Sequence, residues 1–121
     1  MDIVLNQASD IPIYSQIYNQ ISSQIMNGTL QPGTKLPGIR QVANELRISV
    51  IPVKMAWEEL DKNGFIKTVT GSGTFVNNLP SQEIESKLNE KAETLVLKTC
   101  KEAKESGISA DTLIDLIRKL Y

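Results

Sequence analysis

Hydrophobic positions in the middle of the chain fall into two helical stripes separated by a few residues. Ile39, Val42, Ala43 and Leu46 follow i, i+3, i+4, i+7, and so do Val53, Ala56, Trp57 and Leu60. The spacing predicts two short helices joined by a tight turn, the second opening at Ser49, a residue type that caps helix N-termini. That is the layout of a helix-turn-helix, whose second helix can enter a DNA major groove. After Asn63-Gly64 the pattern changes to Phe65 through Val69, then Thr70-Gly71-Ser72-Gly73, then Thr74-Phe75-Val76. This reads as a β-hairpin. The predicted class is mainly α with a small β-hairpin wing: a winged helix-turn-helix over residues 1–76, followed by a two-helix tail.

Residues 1–9 mix polar and apolar side chains and predict no element. Asp10 is expected to cap a first helix with Pro12 in its first turn, where a missing N–H is tolerated. Tyr14, Ile17, Ile21 and Ile25 mark its buried face, with Ile13 and Tyr18 beside it, and Asn27-Gly28 ends it. Leu30-Gln31-Pro32-Gly33 is a turn, Leu36-Pro37 is extended, and Gly38 is the expected N-cap of the second helix. In the third, Ser49 as N-cap places Pro52 at N3, where no amide is available to the serine hydroxyl. Ser49 Oγ must then turn to the N2 amide or to a phosphate.

Residues 77–80 form the expected linker and residues 81–121 a helical dimerisation region. A helix starting at Ser81 carries Ile84, Leu88, Ala92, Leu95, Val96 and Ala103 and stops at Gly107; another starts at Ser109 with Leu113, Ile114, Leu116, Ile117, Leu120 and Tyr121. A helical pair is too small for an independent core and carries more apolar surface than it can cover. The surplus predicts a second copy of the chain, with Ile84, Leu88, Leu95, Leu113, Ile117 and Leu120 at the dimer interface.

Composition narrows the function. Thirteen Lys and Arg against fourteen Asp and Glu give a net charge of −1, so no overall basic surplus announces a nucleic-acid partner, and any such footprint must be local. On the face of the third helix opposite its core stripe lie Val50, Ile51, Lys54 and Met55, with Glu58, Glu59 and Asp61 further along. Carboxylates are repelled by phosphates, so only the N-terminal part of that helix is expected to approach DNA. There is no histidine, which removes the usual catalytic base and most zinc sites, and the tail carboxylates alternate with lysines as on a solvated face. No catalytic residue, metal or cofactor is expected. The single cysteine, Cys100, is expected to be a buried or half-buried thiol in a reducing, cytoplasmic protein, and no apolar run approaches the length of a membrane span.

The series Pro12-Ile13-Tyr14, Gln16-Ile17, Ile25, Gly28, Leu30, Pro32-Gly33, Leu36-Pro37, Arg40, Ala43, Leu46, Glu59-Leu60, Gly64-Phe65-Ile66, Gly71 and Gly73-Thr74-Phe75-Val76 resembles the GntR family of bacterial transcription regulators in order and spacing. The short tail resembles the YtrA-type subfamily, whose members are dimeric and include repressors of transporter operons. The resemblance implies a homodimer binding double-stranded DNA at a pseudo-palindromic operator. It assigns Arg40 to DNA, Ser49, Val50, Ile51, Pro52 and Lys54 to the turn and the start of the recognition helix, and Thr70 and Gly71 to a wing tip in the minor groove. Gly38, Pro52 and Met55 stand where the family commonly has serine, threonine and arginine, and Val69 to Gly73 lack the basic residues common in the wing. These departures predict weaker and more apolar recognition, with Val50 or Ile51 against a thymine methyl. They also admit another class of function, a winged helix that binds a protein through Val50, Ile51 and Met55. No small-molecule effector is named by the sequence.

Overall fold

The computed structural model describes all 121 residues. Its elements are α1 (Ile13–Met26), α2 (Ile39–Leu46), α3 (Val50–Lys62), β1 (Ile66–Val69), β2 (Gly73–Val76), α4 (Ser81–Ser106) and α5 (Ala110–Leu120). They divide into two units, Met1–Pro80 and Ser81–Tyr121.

The first unit is a winged helix. Ile17, Ile21 and Ile25 of α1, Val42 and Ala43 of α2, and Val53, Ala56, Trp57 and Leu60 of α3 are buried in one cluster with Leu30, Leu36, Phe65, Ile66 and Val76. Helix α3 is the hub, because it packs on α1, α2 and β1. Each large side chain so buried contributes about 1.5–3 kcal/mol. Behind the core, the Tyr18 hydroxyl accepts a hydrogen bond from Asn63 Nδ2 at 3.0 Å, and the Tyr18 ring meets Phe65 edge-on at 6.0 Å. Burial pushes the Tyr18 hydroxyl above its ordinary pKa, against the Asn63 hydrogen bond and with the help of the Glu59 charge.

The wing pairs antiparallel in the register Ile66↔Val76, Lys67↔Phe75, Thr68↔Thr74 and Val69↔Gly73. Ile66 and Val76 at its base are buried, and the rest of β1 faces outward. At the tip, Ser72 N donates to the Val69 carbonyl at 2.9 Å, and Gly71 takes the positive φ (81°) that the third position of a type II turn requires. A third extended segment lies against β2: Leu36 N donates to Thr74 O at 2.8 Å and Val76 N to Thr34 O at 2.9 Å. The wing is thereby tied to the chain just ahead of α2.

The start of α1 differs from the sequence expectation. Pro12 is itself the N-cap, without a side-chain cap, and Asp10 does not cap the helix. The helix is held instead through glutamines. Gln16 Oε1 accepts from Asn6 N, while Gln16 Nε2 donates to Asn6 O and Ile11 O; Gln20 pairs in the same two-way fashion with Val4 N and O; Gln24 Nε2 donates to Asp2 O. Four helical residues rise about 6 Å and two extended residues about 6.6 Å, so glutamines at i, i+4 and i+8 meet alternate residues of an extended segment. Ile3 and Leu5 of that segment pack on the core. Polar side chains thus organise residues to which apolar periodicity assigns nothing.

In the second unit α4 buries only Ala103 and α5 buries no residue. Helix α4 ends with Gly107 at φ 78°, its amide on Lys104 O and that of Ile108 on Ala103 O, and Ser109 Oγ caps α5 by accepting from Thr112 N at 3.2 Å. Leu95, Ile117 and Leu120 are 58, 55 and 77% exposed in the single chain. Cys100, expected to be at least half-buried, is exposed, on a helix that buries only Ala103 within the chain. Residues 77–80, expected as a linker, belong to the first unit: Asn77 Nδ2 donates to Gly64 O at 2.9 Å, and Leu79 packs on the core. No helix is long and apolar enough to cross a membrane.

Gln16 is buried and serves three backbone groups, whereas Gln20 is more exposed and serves two. Gln16→Ala is expected to lower stability by about 1–3 kcal/mol and Gln20→Ala by less than about 1 kcal/mol. Urea unfolding of the two variants checks the ranking.

Candidate nucleic-acid interface

Two helix N-termini and the wing carry the sequence-predicted site residues. Gly38 caps α2 with extended backbone (φ −65°, ψ 155°) and contributes no side-chain bond. Ser49 caps α3 in the same conformation (φ −70°, ψ 165°), and its hydroxyl also makes no capping hydrogen bond. Pro52 stands at N3 as expected, and of the two partners open to Ser49 Oγ, the N2 amide is not used. The first-turn amides of both helices are therefore left as uncapped donors, and the partial positive charge of a helix N-terminus favours an anion there.

Arg40 is in the first turn of α2, exposed. It forms no ion pair with Glu45 or Asp61; Glu45 instead accepts from Gln41 Nε2 at 3.2 Å. Arg40 and Lys54 line one open cleft, between the start of α2, the side of α3 and the wing, together with Lys35, Trp57, Glu58, Asp61, Thr68, Gly73 and Thr74. Three cations thus share the cleft with two carboxylates. Lys54 lies one helical turn ahead of Glu58 and two ahead of Asp61, so the favourable potential is at the N-terminal end of α3.

The other predicted residues lie outside this cleft. Val50, Ile51 and Met55 are 43, 64 and 41% exposed at the α3 tip. Pro52 beside them is half-buried, and Thr70 and Gly71 are exposed at the wing turn. An apolar tip of that kind offers methyl contact and no hydrogen bond, which suits the C5-methyl of thymine among the groups of the major groove.

Lys35 escaped the sequence reading. It forms a bridge with Phe75 from the segment ahead of α2, and its side chain crosses the wing directly over Gly73. A Cβ on Gly73 would lie 2.7 Å from Lys35 Cε, and Gly73 holds φ 126°. The wing turn has no basic residue of its own, yet a cation is delivered to it from elsewhere. The available signal was the second glycine of Gly71-Ser72-Gly73, whose positive φ calls for glycine and whose missing side chain leaves room for the lysine lying across it.

The fold and sequence have known counterparts. Residues 13–76 match the model of the gntR family of bacterial regulatory proteins. The chain belongs to the GntR family. It is similar to the HTH-type transcriptional repressor YtrA of Bacillus subtilis (29% identity over 98% of this chain and 91% of that protein). It spans only 32 and 30% of two other matched repressors, which are longer. Among solved structures it is similar to a GntR family transcriptional regulator from Listeria monocytogenes (29% identity, TM-score 0.78, 95% of this chain and 98% of that one). It is also similar to the DNA-binding domain of AraR in complex with operator ORX1 (26% identity, TM-score 0.54, 63% of this chain and 95% of that one). As a GntR-family protein the chain is a DNA-binding transcription regulator, and the family is one of regulators rather than enzymes.

Gly73→Ala is expected to destabilise the first unit by about 1–3 kcal/mol, because a side chain at φ 126° strains the backbone, while the Lys35 side chain can move aside cheaply. Thermal unfolding measures the loss. Gly38→Ala, whose Cβ would meet nothing within 4 Å, is the control and should cost under about 1 kcal/mol.

Proposed function

We propose that the protein is a cytoplasmic homodimeric repressor that binds a pseudo-palindromic operator, one winged helix per half-site. The observation that carries this reading is the pairing of an exposed, uncapped recognition-helix N-terminus with a helical tail that buries one residue in 26 along α4 and none along α5. A helix α4 about 39 Å long that buries a single residue draws little support from the rest of the chain, and most helical stability in proteins comes from a packed face. Ile84, Leu88, Leu95, Leu113, Ile117 and Leu120 supply that face, and a second copy of the same helices is the simplest cover. Two-fold symmetry then sets two α3 tips at half-sites about one helical turn apart or a simple multiple of it. The similarity to the YtrA repressor along nearly its whole length supports repression as the direction of control.

At each half-site, the amides of α2 and α3, Ser49 Oγ, Lys54 and Lys35 hold phosphates. Arg40 reaches a phosphate or a guanine edge with two parallel donors. Thr70 and Gly71 lie along the minor groove, where the absence of a side chain at Gly71 permits close backbone approach. Val50 and Ile51 read thymine methyls, with Pro52 stiffening the tip between them and Lys54.

Arg40→Ala is expected to weaken operator binding by about 1–3 kcal/mol in fluorescence anisotropy, with the fold unchanged by circular dichroism. Replacing the contacted thymines by uracil should weaken wild-type binding and leave an Ile51→Ala, Val50→Ala variant unaffected. Equal wild-type affinity for the two duplexes would rule out the methyl contact.

A further inference from the structure

Seven residues of the chain have positive φ, and six of them are glycines. The seventh is Arg47, at φ 57° and ψ 47°. It ends α2: its amide donates to Asn44 O at 3.2 Å, and the next amide, of Ile48, donates to Ala43 O at 3.0 Å. Where α3 and α4 end in the same way, the chain places Gly64 (φ 80°) and Gly107 (φ 78°). Glycine suits that position because a Cβ crowds the neighbouring carbonyl in left-handed backbone. Arginine there is strained relative to glycine, and its side chain returns nothing within the chain, since the exposed guanidinium joins no hydrogen bond or ion pair.

We propose that Arg47 binds the DNA phosphate backbone, a role that rests on the DNA-binding reading of this face. Arg40 is in the first turn of α2, and Arg47 closes that helix in left-handed backbone two residues ahead of Ser49, the N-cap of α3. Buried Val42 and Ala43 occupy the side that faces the core. The helix ahead of a recognition helix crosses the DNA backbone. With the Ser49-led helix in the groove, Arg47, at the turn beside that helix's N-terminus, lies against the bordering phosphates. A planar guanidinium takes a phosphate through two parallel N–H donors. A cation at the turn is also what a protein with no basic residue between Val69 and Gly73 needs to fix its register.

The test compares wild type, Arg47→Gly and Arg47→Lys for thermal unfolding and for binding across a salt series. The probes are a duplex selected from the source genome and a random duplex of equal length. Glycine relieves the backbone, so Arg47→Gly should unfold at the same or a higher temperature. It should nevertheless bind both duplexes on the order of tenfold more weakly at low salt, with the log–log salt slope shallower by about 0.9 for each phosphate that is no longer neutralised. Arg47→Lys should keep the slope. Unchanged affinity and slope for Arg47→Gly overturn the proposal, and so does a weakening confined to the selected duplex, which marks recognition of a base. Wild-type protein that binds neither duplex overturns the DNA-binding reading and this inference with it.

Discussion

The packing of α3 against α1 is the constraint from which the remaining structure follows. Val53, Ala56, Trp57 and Leu60 fill one side of α3 and meet Ile17, Ile21 and Ile25, which fixes the rotation of α3 about its axis. Once that rotation is set, Val50, Ile51, Lys54 and Met55 have nowhere to go but outward, and Glu58 and Asp61 fall in the cleft behind Lys54. A helix of 13 residues therefore has a buried wall, an apolar tip and an acidic rear, each at the place the 3.6-residue period dictates. The wing hangs on the same hub, because Ile66 at the foot of β1 belongs to the core that α3 organises.

A regulator with a net charge of −1 attracts DNA weakly from a distance, and non-specific affinity comes almost wholly from phosphate neutralisation. The first unit carries exposed cations at separate points: Lys35 across the wing, Arg40 at the head of α2, Arg47 at its end and Lys54 on α3. None is tied up in an ion pair within the chain. Backbone amides at two uncapped helix starts add donors without adding charge. In the proposed dimer the apolar tail joins two such faces, and two weak half-sites linked together would bind far more tightly than either alone.

Apolar periodicity made the three core helices, the hairpin and the tail helices legible, and turn chemistry placed Gly38, Ser49 and Gly107, because each depends on neighbours close in sequence. What escaped depends on distant polar interactions. Residues 2–6 are held by amide groups 10 to 22 positions away, a pattern invisible to any stripe of apolar residues, and the N-cap falls on Pro12 rather than on Asp10. Lys35 reads as a loop lysine until the β2 edge brings it over Gly73. Arg47 carries no sequence signature at all, since only the backbone dihedral distinguishes it from an ordinary surface arginine.

Selection of bound fragments from the source genome in dilute buffer, followed by sequencing and by sedimentation of the resulting complexes, tests most directly whether paired chains read a symmetric site. The expected result is an enriched motif with two-fold symmetry, thymine-containing half-sites about one helical turn apart, and two chains per duplex. Random recovery of fragments, or a single chain on an asymmetric site, would contradict it.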